Sequence, residues 1–163
     1  MTSAEDRRAA YTARFDYPLN VYVAMLELEH GSFPDSLHFG LWQEGSTCAE
    51  AQQAATALLF EHLRPACRIL EGGFGLGTTA LRLLESGYDY VAVGPDAGQV
   101  ANAQERVGDK ARFELSKFED FPIQDEKFDV LLCQESAQYI QPPVLFTNAR
   151  AQLMTDGQFL IMD

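Results

Sequence analysis

Glu71-Gly72-Gly73-Phe74-Gly75-Leu76-Gly77 sets an acid and three alternating glycines between the apolar run Arg68-Ile69-Leu70 and Thr78-Thr79. This order reads as a short buried strand that turns tightly into a helix. Such a turn aims backbone N–H groups and the positive end of the helix at a ligand. Glycines leave room for the ligand to approach, and some of these positions are expected to need φ > 0. The same residues also describe a plain strand-to-helix turn that holds nothing.

Two further groups of residues could do chemistry. His38-Phe39-Gly40-Leu41-Trp42 lies on a loop spanning residues 31–46 with Phe33 close by. So many large apolar side chains on a loop must cover either core or ligand. His38 has the right ordinary pKa for a general base; a structural, hydrogen-bonded histidine is the other reading. Glu135, in Gln134-Glu135-Ser136-Ala137-Gln138-Tyr139, is a second candidate base, and nothing in the sequence ranks the two. Cys48, Cys67 and Cys133 are isolated, and His30, His38 and His62 lack ligand spacing, so no metal is expected.

The elements that must position these residues fall into two groups. Residues 4–15 and 18–29 read as helices. Thr47-Cys48-Ala49-Glu50 has capping-box spacing ahead of the helical stripe Ala51, Ala54, Ala55, Leu58, Leu59 and Leu63, and Pro65 ends that helix. Beyond residue 67, strand signals at 68–70, 90–93, 111–115, 128–133 and 158–162 alternate with helical signals at 78–85, 97–107 and 144–153. Gly87 and Gly108 sit where helix C-caps belong. Alternating strands and helices predict an α/β fold, a Rossmann-like three-layer sandwich whose parallel sheet runs 3-2-1-4-5 with an N-terminal helical extension. The division expected is a helical or lid segment over residues 1–47 and a ligand-binding domain over 48–163.

Composition bounds the partners. The 163 residues suffice for one sizeable core. With 24 acidic against 12 basic residues, the formal net charge of −12 repels phosphate backbones, so nucleic acid is not an expected partner. Three unpaired cysteines, no apolar signal stretch and no run near the ~20 apolar residues of a spanning helix predict a cytoplasmic protein without a transmembrane segment.

Two nucleotide-binding patterns fit the glycine turn. Gly75-x-Gly77-x-x-Ala80, with Asp96 about 20 residues on to hold a ribose, satisfies the dinucleotide fingerprint and would suit an NAD-dependent oxidoreductase. Glu71-x-Gly73-x-Gly75-x-Gly77 resembles instead the first motif of class I S-adenosylmethionine-dependent methyltransferases. The stretches 118–122, 125–130 and 134–139 are similar to that family's later motifs. His38-x-Gly40-x-Trp42 is similar to a segment of its members that act on small molecules and lipids.

The resemblance implies S-adenosylmethionine as cofactor and in-line methyl transfer to a small, partly apolar acceptor. It implies that Glu71 orients the methionine ammonium, and that Gly73, Gly75 and Gly77 admit the cofactor to the backbone. Phe118 would lie under the adenine and the Gln134 backbone would contact the amino acid end, while Phe39, Trp42 and Tyr139 would wall the acceptor cavity. This family usually holds the ribose with an acid ending the second strand, where Gly94 stands here; Asp96 either replaces that acid or caps the next helix. Lys117 replaces an acid expected near the adenine. A methyltransferase-like module that only binds or assembles is the alternative reading of these departures. The resemblance also implies an antiparallel strand pair after the fifth strand. The chain looks truncated before it: either the sequence is a fragment of a longer protein, or a further chain or a second copy covers the strand-five edge.

Overall fold

The computed structural model describes residues 3–31 and 33–163. Three helices come first: α1 (Ala4–Thr12), α2 (Leu19–His30) and α3 (Cys48–His62). There follow β1 (Arg68–Gly72), α4 (Thr78–Glu85), β2 (Asp89–Gly94), α5 (Ala97–Val107), β3 (Arg112–Leu115), β4 (Phe128–Gln134), α6 (Pro142–Gln152) and β5 (Leu153–Met162). The five strands form one sheet in the order β3-β2-β1-β4-β5, and every pairing is parallel. This is the expected architecture.

A parallel sheet covered on both faces needs strands that are largely apolar, and β1, β2 and β4 are buried along most of their length. Alternate residues point to opposite faces. Ile69, Tyr90, Ala92, Val130 and Leu132 pack with Leu59 of α3, Leu83 of α4 and Ala103 and Val107 of α5. On the other face, Leu70, Val91, Val93, Leu131 and Cys133 pack with Phe118, Phe121, Ile140 and with Leu145 and Ala149 of α6. A third, smaller cluster joins Phe15 and Val23 to Leu76 of the glycine turn, so the N-terminal helices dock directly on that turn.

Local signals decide where the helices start. At α3, Thr47 Oγ1 accepts the Glu50 N–H, and the Glu50 carboxylate accepts the Thr47 N–H at 2.8 Å. A second capping box, Ser3 with Asp6, opens α1. That helix stops at Thr12, short of the expected residue 15, because Phe15 leaves it to enter the third cluster. The last strand begins at Leu153 and not at residue 158. Leu153 pairs with Phe128, and the register then breaks before Gln158 meets Val130. No helix among the described residues is long and apolar enough to cross a membrane.

Asp96 ties the two parts of the chain together. It N-caps α5 by accepting the Gln99 N–H at 2.7 Å, and it accepts the Asp16 N–H, between α1 and α2, at 2.6 Å. Two charge-assisted bonds from a buried carboxylate make this a structural anchor. Replacing Asp96 with Ala should destabilise the chain by about 2–3 kcal/mol, read as a lower urea midpoint; an unchanged midpoint would remove the anchor role.

Candidate functional site

The glycine turn is packed so tightly that two of its glycines have no room for a side chain. A Cβ on Gly73 (φ +82°) would sit 2.6 Å from Ser136 Cβ, and one on Gly77 (φ +80°) would sit 2.8 Å from Ala103 Cβ. These two let the turn close against the loop after β4 and against α5. Gly75 (φ +55°) differs, because nothing lies within 4 Å of its Cβ position. It faces a cavity of about 400 Å³ at the C-terminal ends of β1, β2 and β4. Strand order reverses there on either side of β1, the place where doubly wound sheets bind ligands.

One wall of the cavity carries two polar side chains held from behind. Glu71 is only 2% exposed yet lines the cavity, and its carboxylate accepts a short hydrogen bond from the Tyr90 hydroxyl. Burial pushes the Glu71 carboxyl up to about 7, with the Tyr90 bond partly opposing the shift. Gln134 is oriented by Thr79, whose hydroxyl donates to Oε1 at 2.9 Å. Its Nε2 is buried without a partner at the cavity wall. A buried amide donor left unpaired is costly, so this N–H₂ suits an acceptor group on a bound ligand. Next to them, burial pushes the Cys133 thiol up to about 12, which keeps it protonated and unreactive.

The opposite wall is the loop of residues 35–40, pinned at several points. Gln52 Nε2 donates to the Ser36 carbonyl at 3.3 Å and the His38 carbonyl at 2.7 Å. The two Glu135 carboxylate oxygens accept the Phe39 N–H at 2.6 Å and the Gly40 N–H at 3.0 Å. Thr78, at the start of α4, donates to the Asp35 carbonyl. His38 lines the cavity with both ring nitrogens buried and unpartnered. Burial lowers its pKa, against a weaker opposing pull from Glu135. The ring is therefore neutral near pH 7. Pro18, Leu19 and Tyr22 complete this cover from the start of α2.

Of the residues singled out in sequence, Glu71, Gly73, Gly75, Phe118, Gln134, His38, Phe39, Glu135 and Tyr139 come together around the cavity. Four do not have the geometry expected of them. Gly77 is absent from the wall, and its Cβ position lies against Ala103 of α5. Asp96 is absent from the wall because both of its oxygens face backbone N–H groups, so the dinucleotide pattern lacks its ribose acid. Trp42 stands outside the wall, 53% exposed, with Nε1 donating to the Phe39 carbonyl at 2.9 Å; it braces the loop. Glu135 lines the cavity, but its oxygens already hold the loop backbone and are not free to act as a base. Tyr90, Thr79 and Phe74 were missed. A lone hydroxyl in the apolar run Tyr90-Val91-Ala92-Val93 was the available clue, since a buried Tyr needs a partner. Among the described residues no group of three or more His, Cys, Asp or Glu could hold a metal ion.

A family described as "Methyltransferase domain" matches residues 70–161. No curated protein matches the chain. The solved structures that share its fold include the following three. Mycolic acid cyclopropane synthase CmaA1, complexed with SAH and CTAB, is 21% identical with a TM-score of 0.68, over 94% of this chain and 52% of that one. Coclaurine N-methyltransferase bound to N-methylheliamine and SAH is 14% identical with a TM-score of 0.72, over 99% and 52%. A SAM-dependent methyltransferase from Thiobacillus denitrificans in complex with S-adenosyl-L-homocysteine is 20% identical with a TM-score of 0.56, over 65% and 46%. The chain thus spans about half the length of the solved structures it matches.

The buried acid makes the free protein sensitive to pH. Between its ordinary value of 4.5 and about 7, Glu71 holds a proton in the folded chain that the unfolded chain has lost. Stability contributed by this group is therefore fully present below about 4.5, falls as pH rises towards 7, and is level above that. Unfolding free energies from urea titrations should fall over this window by an amount on the order of 3 kcal/mol, and Glu71→Gln should flatten the fall. Equal slopes for the two proteins would assign the pH dependence elsewhere.

Proposed function

The chain belongs to the methyltransferase domain family, and from that premise we propose that its cavity binds S-adenosylmethionine and directs methyl transfer to a small, partly apolar acceptor. The observation that carries the reading is the paired polar wall at the ends of β1 and β4. Glu71 offers a carboxylate to an ammonium, and Gln134 Nε2 is an unpaired donor for a carboxylate. Gly75 leaves the space between open. An amino acid end with opposite charges fits such a wall. Phe118, buried on the turn after β3, offers an aromatic face to an adenine.

The bound cofactor would supply an electrophilic methyl group on its sulfonium. The chain's own residues then have three tasks. Tyr90 and Thr79 hold Glu71 and Gln134 in one orientation, which lowers the entropy cost of aligning the reactants. Leu19, Tyr22, Leu37, Phe39, Ile140 and Tyr139 exclude water from the acceptor side and favour an apolar acceptor body. His38 takes a proton on a ring nitrogen from an O–H or N–H acceptor. In this reading residues 1–47 act as the lid, with α2 and the 35–40 loop closing over the ligand.

Calorimetric titration should show S-adenosylhomocysteine binding the wild type and NAD not binding. Gly75→Val should abolish the binding in a chain that still folds, with a melting temperature lowered by several degrees because φ of +55° strains a β-branched residue. Unchanged affinity in Gly75→Val would refute this placement of the ligand. With an acceptor in hand, His38→Ala should reduce turnover about 100-fold or more. Its affinity for S-adenosylhomocysteine should stay within about two-fold, below 0.5 kcal/mol. Equal turnover would take His38 out of the chemistry.

A further inference from the structure

The end of β2 is where a doubly wound sheet normally presents an acid to the hydroxyls of a nucleoside ribose. Gly94 ends β2 here, and the place of its side chain is already filled. A Cβ on Gly94 would lie 2.8 Å from Phe74 Cε1 and 3.4 Å from Cδ1 and Cζ. The Phe74 ring is not free to yield. It is 4% exposed, its centroid is 5.0 Å from that of Phe113, and it packs in the core cluster with Ala92, Ala103 and Phe113. Phe74 also lines the cavity. The aromatic residue in the middle of the glycine motif and the glycine at the strand end are therefore a matched pair, one filling the volume that the other vacates.

Three acids near the cavity are not free to restore the missing group. Asp96 is outside the wall with both oxygens engaged. Glu71 is engaged by Tyr90, and Glu135 by the Phe39 and Gly40 N–H groups. Glu119, on the turn after β3, is the remaining carboxylate among the described lining residues. Beside it stands Lys117, a cation that can only donate.

We propose that Phe74 is a specificity residue that occupies the ribose-acid position, so that this pocket reads its nucleoside cofactor by the amino acid end and the base and not by the ribose hydroxyls. The inference rests on the cofactor reading above, and the two can fail separately. The test compares S-adenosylhomocysteine with its 2′,3′-dideoxy analogue by calorimetry. Wild type should bind the two within about three-fold, whereas loss of a good hydrogen-bonded pair would cost about ten-fold or more. The double variant Phe74→Ala/Gly94→Asp should prefer the ribose form by about ten-fold or more, while Gly94→Asp alone should lower the melting temperature through its clash with the ring.

A wild type that already prefers the ribose form ten-fold would overturn the proposal, and loss of that preference in Glu119→Gln would name the residue responsible. The wild-type comparison needs no variant, so poor folding of the double variant does not rescue the idea. Absence of S-adenosylhomocysteine binding in both wild type and a folded double variant would instead sink the cofactor reading. Binding by the double variant alone would support Phe74 as the block and remove the cofactor from the wild type.

Discussion

Everything at the site depends on how closely the turn after β1 approaches its neighbours. At Gly73 and Gly77 a single methyl group would overlap Ser136 and Ala103, so the loop after β4 and the α5 helix press against bare backbone. That contact brings the C-terminal ends of β1, β2 and β4 together and leaves one glycine, Gly75, facing open space. Leu76, in the same turn, then serves as the anchor for Phe15 and Val23 of the N-terminal segment. Sheet, helices and cover thus converge on a few residues that have almost no side chain of their own.

A turn so enclosed alters the electrostatics of the groups behind it. Glu71 sits where water is scarce, which favours its neutral form, and the Tyr90 hydroxyl offsets only part of that cost. A ligand cation would offset more, since an opposite charge favours the ionised carboxylate. The Gln134 amide follows the same logic: Thr79 satisfies its oxygen and leaves its N–H₂ for the ligand. Glu71 and Gln134 are each partly satisfied by the protein, and what remains defines the charge of what can bind beside them.

The cover is built on different terms. The 35–40 loop has no regular ladder, so its backbone is held by side chains from three directions: Gln52 from α3, Glu135 from the end of β4 and Thr78 from α4. Glu135 has φ of +51°, a conformation that non-glycine residues seldom adopt, and its two oxygens take the Phe39 and Gly40 N–H groups. The left-handed turn and the loop clamp occur at one residue. A carboxylate at a cavity mouth can therefore be structural even when its position suggests catalysis.

Most of the architecture was legible in the residues themselves. The alternation of strand and helix signals predicted the strand order, the capping box at Thr47 a helix start, and the glycines at 87 and 108 helix ends. Glu71 and the alternating glycines likewise marked the site before any contact was known. What tertiary structure decided were the pairings between side chains far apart in sequence. Asp96 has the spacing of a ribose ligand but is taken by the Asp16 and Gln99 N–H groups, and Glu135 is taken by a loop almost a hundred residues upstream. Trp42 belongs to an apolar loop segment, yet its indole turns to a backbone carbonyl outside the wall. Phe74 and Gly94 look unrelated until the fold puts a ring into the space of a missing Cβ. Local periodicity and turn chemistry act over a few residues and so can be read along the chain. Which polar group satisfies which, and which ring fills which gap, depends on distances that exist only once the sheet has formed.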